Sequence, residues 1–198
     1  YGHEFLLTVF DALLDRSELM TRAALSRIPS GEYRYTDYLD NDGINIDQRI
    51  QISVTAIIDG GEITFDLDQS SEQVDGPFNC VPSGSLSAAC FAVRVLTGSD
   101  IPTNGGCFRP IHLKLPEGSI VNPTEPAPVN ARTSTIKRIA GCMVSAFREV
   151  LPEKVTADSA SEMLILQFGV QHANGRRFVV GELIASGSGA AIGSDGID

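Results

Sequence analysis

Two runs of residues with a period of two, hinged on a glycine pair, limit what this chain can become more than any other feature. Ile50, Ile52, Val54, Ala56 and Ile58 recur at every second position, and Ile63, Phe65 and Leu67 do so after Asp59-Gly60-Gly61. Side chains two apart on a strand share one face. The pattern therefore predicts an antiparallel hairpin with one face in a core and a glycine turn at its tip. Such a face must be covered, and the chain carries three helical patterns that can cover it. Leu6, Val9, Phe10, Leu13, Met20, Ala24 and Ile28 mark a helix over Glu4 to Ile28, ended by Pro29-Ser30-Gly31. Leu86, Ala89, Cys90, Val93 and Leu96 mark a second, capped near Ser83 or Ser85 and closed by Gly98. Ile136, Ile139, Ala140, Met143, Phe147 and Val150 mark a third over Thr135 to Leu151, stopped by Pro152.

The remaining patterns are shorter. Met163 to Gln171 and Arg176 to Ala185 read as a second strand pair around Ala173-Asn174-Gly175, and a short strand runs near His112. Phe178 to Ile184 is apolar almost throughout, as in a strand covered on both sides. Glu182 interrupts that run, so it is either paired, protonated or facing a cavity, or it sits at an edge facing water. The fold class expected is α+β, with three main helices packed on antiparallel β-hairpins. The link carrying Tyr33, Tyr35, Tyr38, Asp37, Asp40 and Asp42 reads as a turn-rich connector. It fails as a calcium loop counted from Asp40, because Asn45 and Gln51 stand where glycine and glutamate are needed. A finer division would separate 1–75, a helix plus hairpin, from 76–198, a helix and strand core.

The net charge of −10 disfavours nucleic acid and anionic membrane as partners. No apolar run approaches the length of about 18 residues that a spanning helix needs. Cys80, Cys90, Cys107 and Cys142 form no C-x-x-C pair, so neither a zinc knuckle nor a disulfide frame is expected. Buried free thiols point to a cytoplasmic location. The chain opens without methionine and closes inside a glycine-rich stretch, so it is expected to be an internal segment of a longer polypeptide.

The stretch from Asp100 to Ser134 concentrates the candidates for chemistry. Gly105-Gly106 permits a sharp bend or close approach to a ligand, and Arg109 follows in an apolar setting that calls for an anionic or carbonyl partner. Asn130, Arg132, Thr133 and Ser134 open the third helix, where backbone N–H groups and the positive dipole end suit an oxyanion. The alternative reading of the stretch is a proline-stiffened crossover between two core helices with no binding role. Glu182 with Gly187 and Gly189 is a further candidate for the substrate cavity. The Gly187 to Gly193 spacing matches neither a P-loop nor a dinucleotide fingerprint. His112 has no histidine neighbour in sequence and reads as a surface or satisfied residue. Metal ligands and catalytic groups are not identifiable.

DIPTNGGCFRPI, LPEGSIVNP and PAPVNARTSTIKRI, with DYLDNDG, GPFN and GELIASGSGA, resemble the hydantoinase B family in order and along essentially the whole chain. That family is the B-type component of ATP-dependent hydantoinases and 5-oxoprolinases, and is similar to one subunit of acetone and acetophenone carboxylases. The resemblance implies an ATP-dependent cyclic-amide hydrolase in which an A-type subunit or domain binds ATP and activates the substrate. The B-type component then completes ring opening. It also implies a divalent metal held elsewhere in the parent subunit, and as partners the A-type component, the rest of the polypeptide and a small-molecule substrate. Two other readings stay open: a segment of a ketone carboxylase subunit, and a structural or subunit-interaction domain without catalysis of its own.

Overall fold

A computed structural model describes residues 2–159, 163–185 and 187–197. The chain forms two compact units, Tyr1–Val155 and Thr156–Asp198. The first contains α1 (His3–Leu25), β1 (Gly31–Leu39), β2 (Ile50–Asp59), β3 (Glu62–Asp66), α2 (Pro82–Thr97), a 3-10 turn (Gly105–Phe108), β4 (Ile111–Lys114) and α3 (Arg132–Ser145). The second contains β5 (Met163–Gln171) and β6 (Arg177–Ala185). The division considered at 75/76 falls inside the first unit, where β4 pairs with β3.

The hairpin forms as expected. β2 and β3 pair antiparallel, with Asp59 opposite Glu62. Gly60 and Gly61 close it with φ of 55° and 87°, the left-handed conformation that this two-residue turn requires at both positions. Ile50, Ile52, Val54, Ala56, Ile58, Ile63 and Phe65 are all buried, so the alternation sets the face. Each large aliphatic or aromatic side chain so buried contributes about 2 kcal/mol. The sheet has four strands in the order β1-β2-β3-β4, with β4 parallel to β3. α2 and α3 cover its inner face. Ala88, Ala89, Ala92 and Val93 come from α2, and Ile139, Met143 and Phe147 from α3 and the turn after it.

β1 corrects the sequence reading of that link as a connector. Residues Gly31 to Leu39 pair with β2 along their whole length. Tyr33 and Tyr35 pack inward, the first with its ring 4.9 Å from that of Phe147. Aromatic residues at alternate positions favour a half-buried strand, and here that outweighs the acidic residues between them. The connector shrinks to the turns after Leu39. There the buried Asp42 carboxylate accepts from the amides of Ile44, Asn45 and Gly76 and from the Asn45 side chain. These donors, the Asn45 amide foremost, hold its pKa below the ordinary aspartate value.

α1 is the second correction. Its expected apolar stripe was to face the core, yet Leu6, Phe10 and Leu13 are exposed. The buried positions are Ser17, Thr21 and Leu25. The C-terminal half docks on the 3-10 turn, where the Asn104 side chain donates to Ser17 Oγ at 2.8 Å. α2 starts at Pro82, with Val81 rather than a serine at its N-cap. Proline suits that first position because it has no N–H to leave unpaired.

The second unit is an antiparallel pair running from Met163 opposite Ala185 to Gln171 opposite Arg177. The prediction of a strand covered on both sides is not met there: Phe178, Val179, Val180, Leu183 and Ile184 are all exposed.

Candidate functional site

The α3 start is built by a corner of four backbone segments. Thr135 Oγ1 donates to Phe78 O, and the Ala131 amide donates to Pro77 O at 2.8 Å. Asn79 is buried below: its Oδ1 accepts from the Val74 amide, and its Nδ2 donates to the carbonyls of Val74, Gly76 and Pro128. Gly84 brings the first turn of α2 against α3, since a Cβ there would lie 2.7 Å from Cys80 Sγ and 2.9 Å from Ile136 Cδ1. The LPEGSIVNP stretch threads behind, with Ile120 accepting from the Cys80 amide at 2.7 Å and donating to Ser71 O at 3.0 Å. The two helices thus present their N-terminal ends at neighbouring positions, neither with a side-chain cap.

Asn130, Arg132 and Thr133 are exposed at this corner, and Ser134 is half-buried. The backbone offers less than the sequence suggests. The amides of Arg132 and Ser134 donate to Val129 O and Ala131 O in the turn that leads into the helix. What faces outward is mainly the guanidinium of Arg132, steadied by a 3.1 Å bond to Val129 O, and the polar side chains beside it. Cys80, just below, is held protonated: burial pushes its thiol pKa up, and only then do Ser85 and Arg132 lower it.

Arg109 lies in a different setting. It is not enclosed: its side chain is 42% exposed, at the end of the 3-10 turn. One nitrogen meets Asp15 at 2.8 Å and Glu18 at 2.9 Å on α1. Glu18 also meets Arg22, Arg22 meets Glu62 at 2.7 Å, and Glu62 meets His112 at 3.0 Å. The anionic partner that Arg109 calls for is therefore supplied by the chain itself, and His112 is a satisfied surface residue. The close approach offered by Gly105-Gly106 is likewise to α1: a Cβ on Gly106 would sit 1.9 Å from Leu14 O.

This ion-pair chain carries a pH dependence. The Arg109 and then the Arg22 hydrogen bonds lower the pKa of Glu18, and Arg22 followed by His112 lowers that of Glu62, from the ordinary 4.5. A depressed carboxyl stabilises the fold above its unfolded pKa and loses that contribution as pH falls through the native value. Urea midpoints of the wild type and Arg22→Met are therefore expected to differ at pH 7 and to converge as pH falls below the ordinary 4.5 and through the lowered native values. The gap also narrows in high salt, since these groups are partly open to solvent.

Glu182, Gly187 and Gly189 belong to the second unit. Glu182 is exposed on the hairpin, opposite Leu166. A Cβ on Gly189 would lie 1.7 Å from Ala157 O, and Ser188 bridges to Ile197. The glycine there serves close backbone packing. A polar cleft of about 350 Å³ in the first unit is lined by Asp42, Asn45, Arg49, Glu72 and Asp75 among others, and by none of the substrate-binding candidates named from sequence. Among the described residues no group of three or more His, Cys, Asp and Glu is placed to hold a metal ion. The resemblance places its divalent metal elsewhere in the parent subunit. No helix among the described residues is long and apolar enough to cross a membrane.

Comparison with known proteins decides the family. The model described as Hydantoinase B/oxoprolinase matches residues 1–198. The chain belongs to the hydantoinase B/oxoprolinase family. Within it, the chain is 30% identical over 208 residues to a Pseudomonas sp. protein described as the B-type subunit of a D-/L-hydantoinase, covering 100% of this chain and 35% of that one. It is 29% identical to the 5-oxoprolinase of Saccharomyces cerevisiae, over 80% of this chain and 12% of the relative. The ATP-dependent caprolactamase of Pseudomonas jessenii superposes with a TM-score of 0.80 at 27% identity, over 91% of this chain and 31% of that one. An acetone carboxylase shares the fold, with a TM-score of 0.71 at 18% identity over 91% of this chain and 26% of that one. The hydantoinase B/oxoprolinase chain in hand thus spans about a third of the first of these relatives or less.

Proposed function

We propose that this chain is part of the B-type component of an ATP-dependent cyclic-amide hydrolase, which completes ring opening of a substrate activated by an A-type partner. The observation that carries the reading is the match to a family of hydantoinase and oxoprolinase components along the entire chain, joined by the fold shared with a lactam-opening enzyme. Ring opening adds water to the amide carbon and breaks its C–N bond; phosphorylating the amide oxygen makes that carbon electrophilic enough to be attacked, and that activation is assigned to the partner. The role of this segment is binding and positioning. Arg132 is the cation we assign to a carboxylate or phosphoryl oxygen of the activated substrate, with Asn130 and Thr133 beside it. Arg109 is assigned to positioning, because its charge already meets Asp15 and Glu18.

The test uses the complete gene product with its A-type partner, offered hydantoin, 5-oxoproline or caprolactam with ATP. Ring opening is expected, and Arg132→Ala is expected to lower turnover about 100-fold, the loss typical of one donor to a developing oxyanion. Unchanged turnover in Arg132→Ala removes the site. Carboxylation of acetone with bicarbonate in place of ring opening removes the hydrolase and favours the carboxylase branch. If neither reaction occurs, the structural-domain reading takes over.

A further inference from the structure

The polar cleft of the first unit is preformed, and it holds charges that the fold does not use. Its walls come from the segments 42–50 and 71–75, and its volume of about 350 Å³ is typical of small-molecule sites. Hydrogen bonds fix both walls. The buried Asp42 carboxylate accepts from the Gly76 amide at 3.2 Å and ties one segment to the other. There the backbones touch, since a Cβ on Gly76 would lie 1.7 Å from Asp42 O. Ser71 is pinned to β2: its Oγ accepts from the Gln51 amide at 2.8 Å, and its own amide donates to Gln51 O at 2.9 Å. The Gln73 side chain accepts from the Thr124 amide at 2.8 Å. Val74 is held through its amide and carbonyl by Asn79, the residue beneath the α3 corner. A wall of the cleft and the support of that corner therefore belong to one loop.

Three charged side chains in the lining are left over. Arg49, Glu72 and Asp75 are exposed, and among the described residues none of the three side chains joins an ion pair or a hydrogen bond. They lie too far apart to pair, and they present both signs of charge to whatever enters. A concave site strengthens such fields relative to open surface. An anion alone would face two carboxylates, and a cation alone would face the guanidinium. A molecule that carries both signs escapes either repulsion. A bare metal ion does not meet the case, because among the described residues no group of His, Cys, Asp and Glu is placed to hold one. We infer that this cleft binds a small zwitterion of the amino-acid class, its carboxylate on Arg49 and its ammonium on Glu72 and Asp75. Opening a lactam with water breaks the ring C–N bond and leaves an ammonium and a carboxylate on one molecule, so the product of the proposed reaction has this chemistry. The choice of a ring-opened lactam as ligand rests on the proposed function; the demand for both charges rests on the cleft alone.

The test is isothermal titration calorimetry on the complete gene product, without ATP and without the A-type partner, so that no reaction intervenes. The probes are 6-aminohexanoate, which is opened caprolactam, and its single-charge analogues hexanoate and hexylamine. The zwitterion is expected to bind at least about 10-fold more tightly than either analogue, as a hydrogen bond to a charged group allows. Arg49→Met is expected to reduce its affinity to that of hexylamine, and Glu72→Gln with Asp75→Asn to that of hexanoate. All three side chains are exposed, so unchanged urea midpoints should accompany these losses. No binding of 6-aminohexanoate overturns the inference, as does hexylamine or hexanoate binding equally well. Affinity kept in the cleft variants but lost in Arg132→Ala places the molecule at the α3 corner; that overturns the cleft and leaves the proposed function standing. Binding as expected in a complex that opens no ring upholds the cleft and removes the hydrolase reading, so the two fail separately.

Discussion

Asn79→Leu is expected to lower the unfolding free energy by about 4 kcal/mol, measured as a fall in the urea midpoint with an unchanged slope. Leucine keeps the branching and heavy-atom count of asparagine, so most of the effect is lost hydrogen bonding. Asn79 is fully buried and serves three segments at once. It accepts from the Val74 amide at 2.9 Å, and it donates to Val74 O at 2.7 Å, Gly76 O at 3.2 Å and Pro128 O at 3.0 Å. Its removal strands one amide and up to three carbonyls away from water. Each stranded group costs about 1–3 kcal/mol before relaxation. A loss below about 1 kcal/mol would show that water reaches this corner and that Asn79 does not tie the proline-rich stretch to the loop before α2.

Gly106→Ala is expected to cost about 3 kcal/mol and to release α1 from the rest of the first unit. The added methyl would sit 1.9 Å from Leu14 O and 2.6 Å from its carbonyl carbon, and backbone cannot swing aside as a side chain can. Limited proteolysis should cut between Leu14 and Leu25 in the variant while the β2–β3 hairpin stays protected. Gly105→Ala supplies the control. A Cβ there meets only the tip of the Leu14 side chain at 3.9 Å, so its stability should stay within about 0.5 kcal/mol of wild type. If both variants behave alike, the close approach of helix and turn is not what Gly106 is for.

The contrast between these two glycines shows where sequence reasoning stops. Gly105-Gly106 announces a close approach, but only the folded chain reveals that the approaching backbone is Leu14. Arg109 likewise asks for an anion, and the answer lies on α1, 94 residues earlier in the chain. Local patterns fared better. The alternation from Ile50 to Leu67 predicts strands, turn and buried face together, because all three follow from a period of two and a glycine pair. β1 was missed because charged residues between its tyrosines mimic a loop, and its partner is chosen by the sheet. α1 misled in the opposite sense, since its apolar stripe is real but its leading half is not buried within this chain. At the α3 start, Asn130, Arg132 and Thr133 are exposed as a binding role requires. The bonds that consume the neighbouring amides depend on turn geometry that composition does not specify.

The parallel pairing of β3 with β4 has a consequence for synthesis on the ribosome. β4 reaches its place only after the chain has run from Asp66 through α2 and the 3-10 turn to Ile111. Until Lys114 has left the exit tunnel, the edge of β3 has no neighbour and the nascent hairpin offers an open ladder to other chains. Closing so long a loop is slow compared with forming the hairpin, so the vulnerable interval is built into the strand order itself.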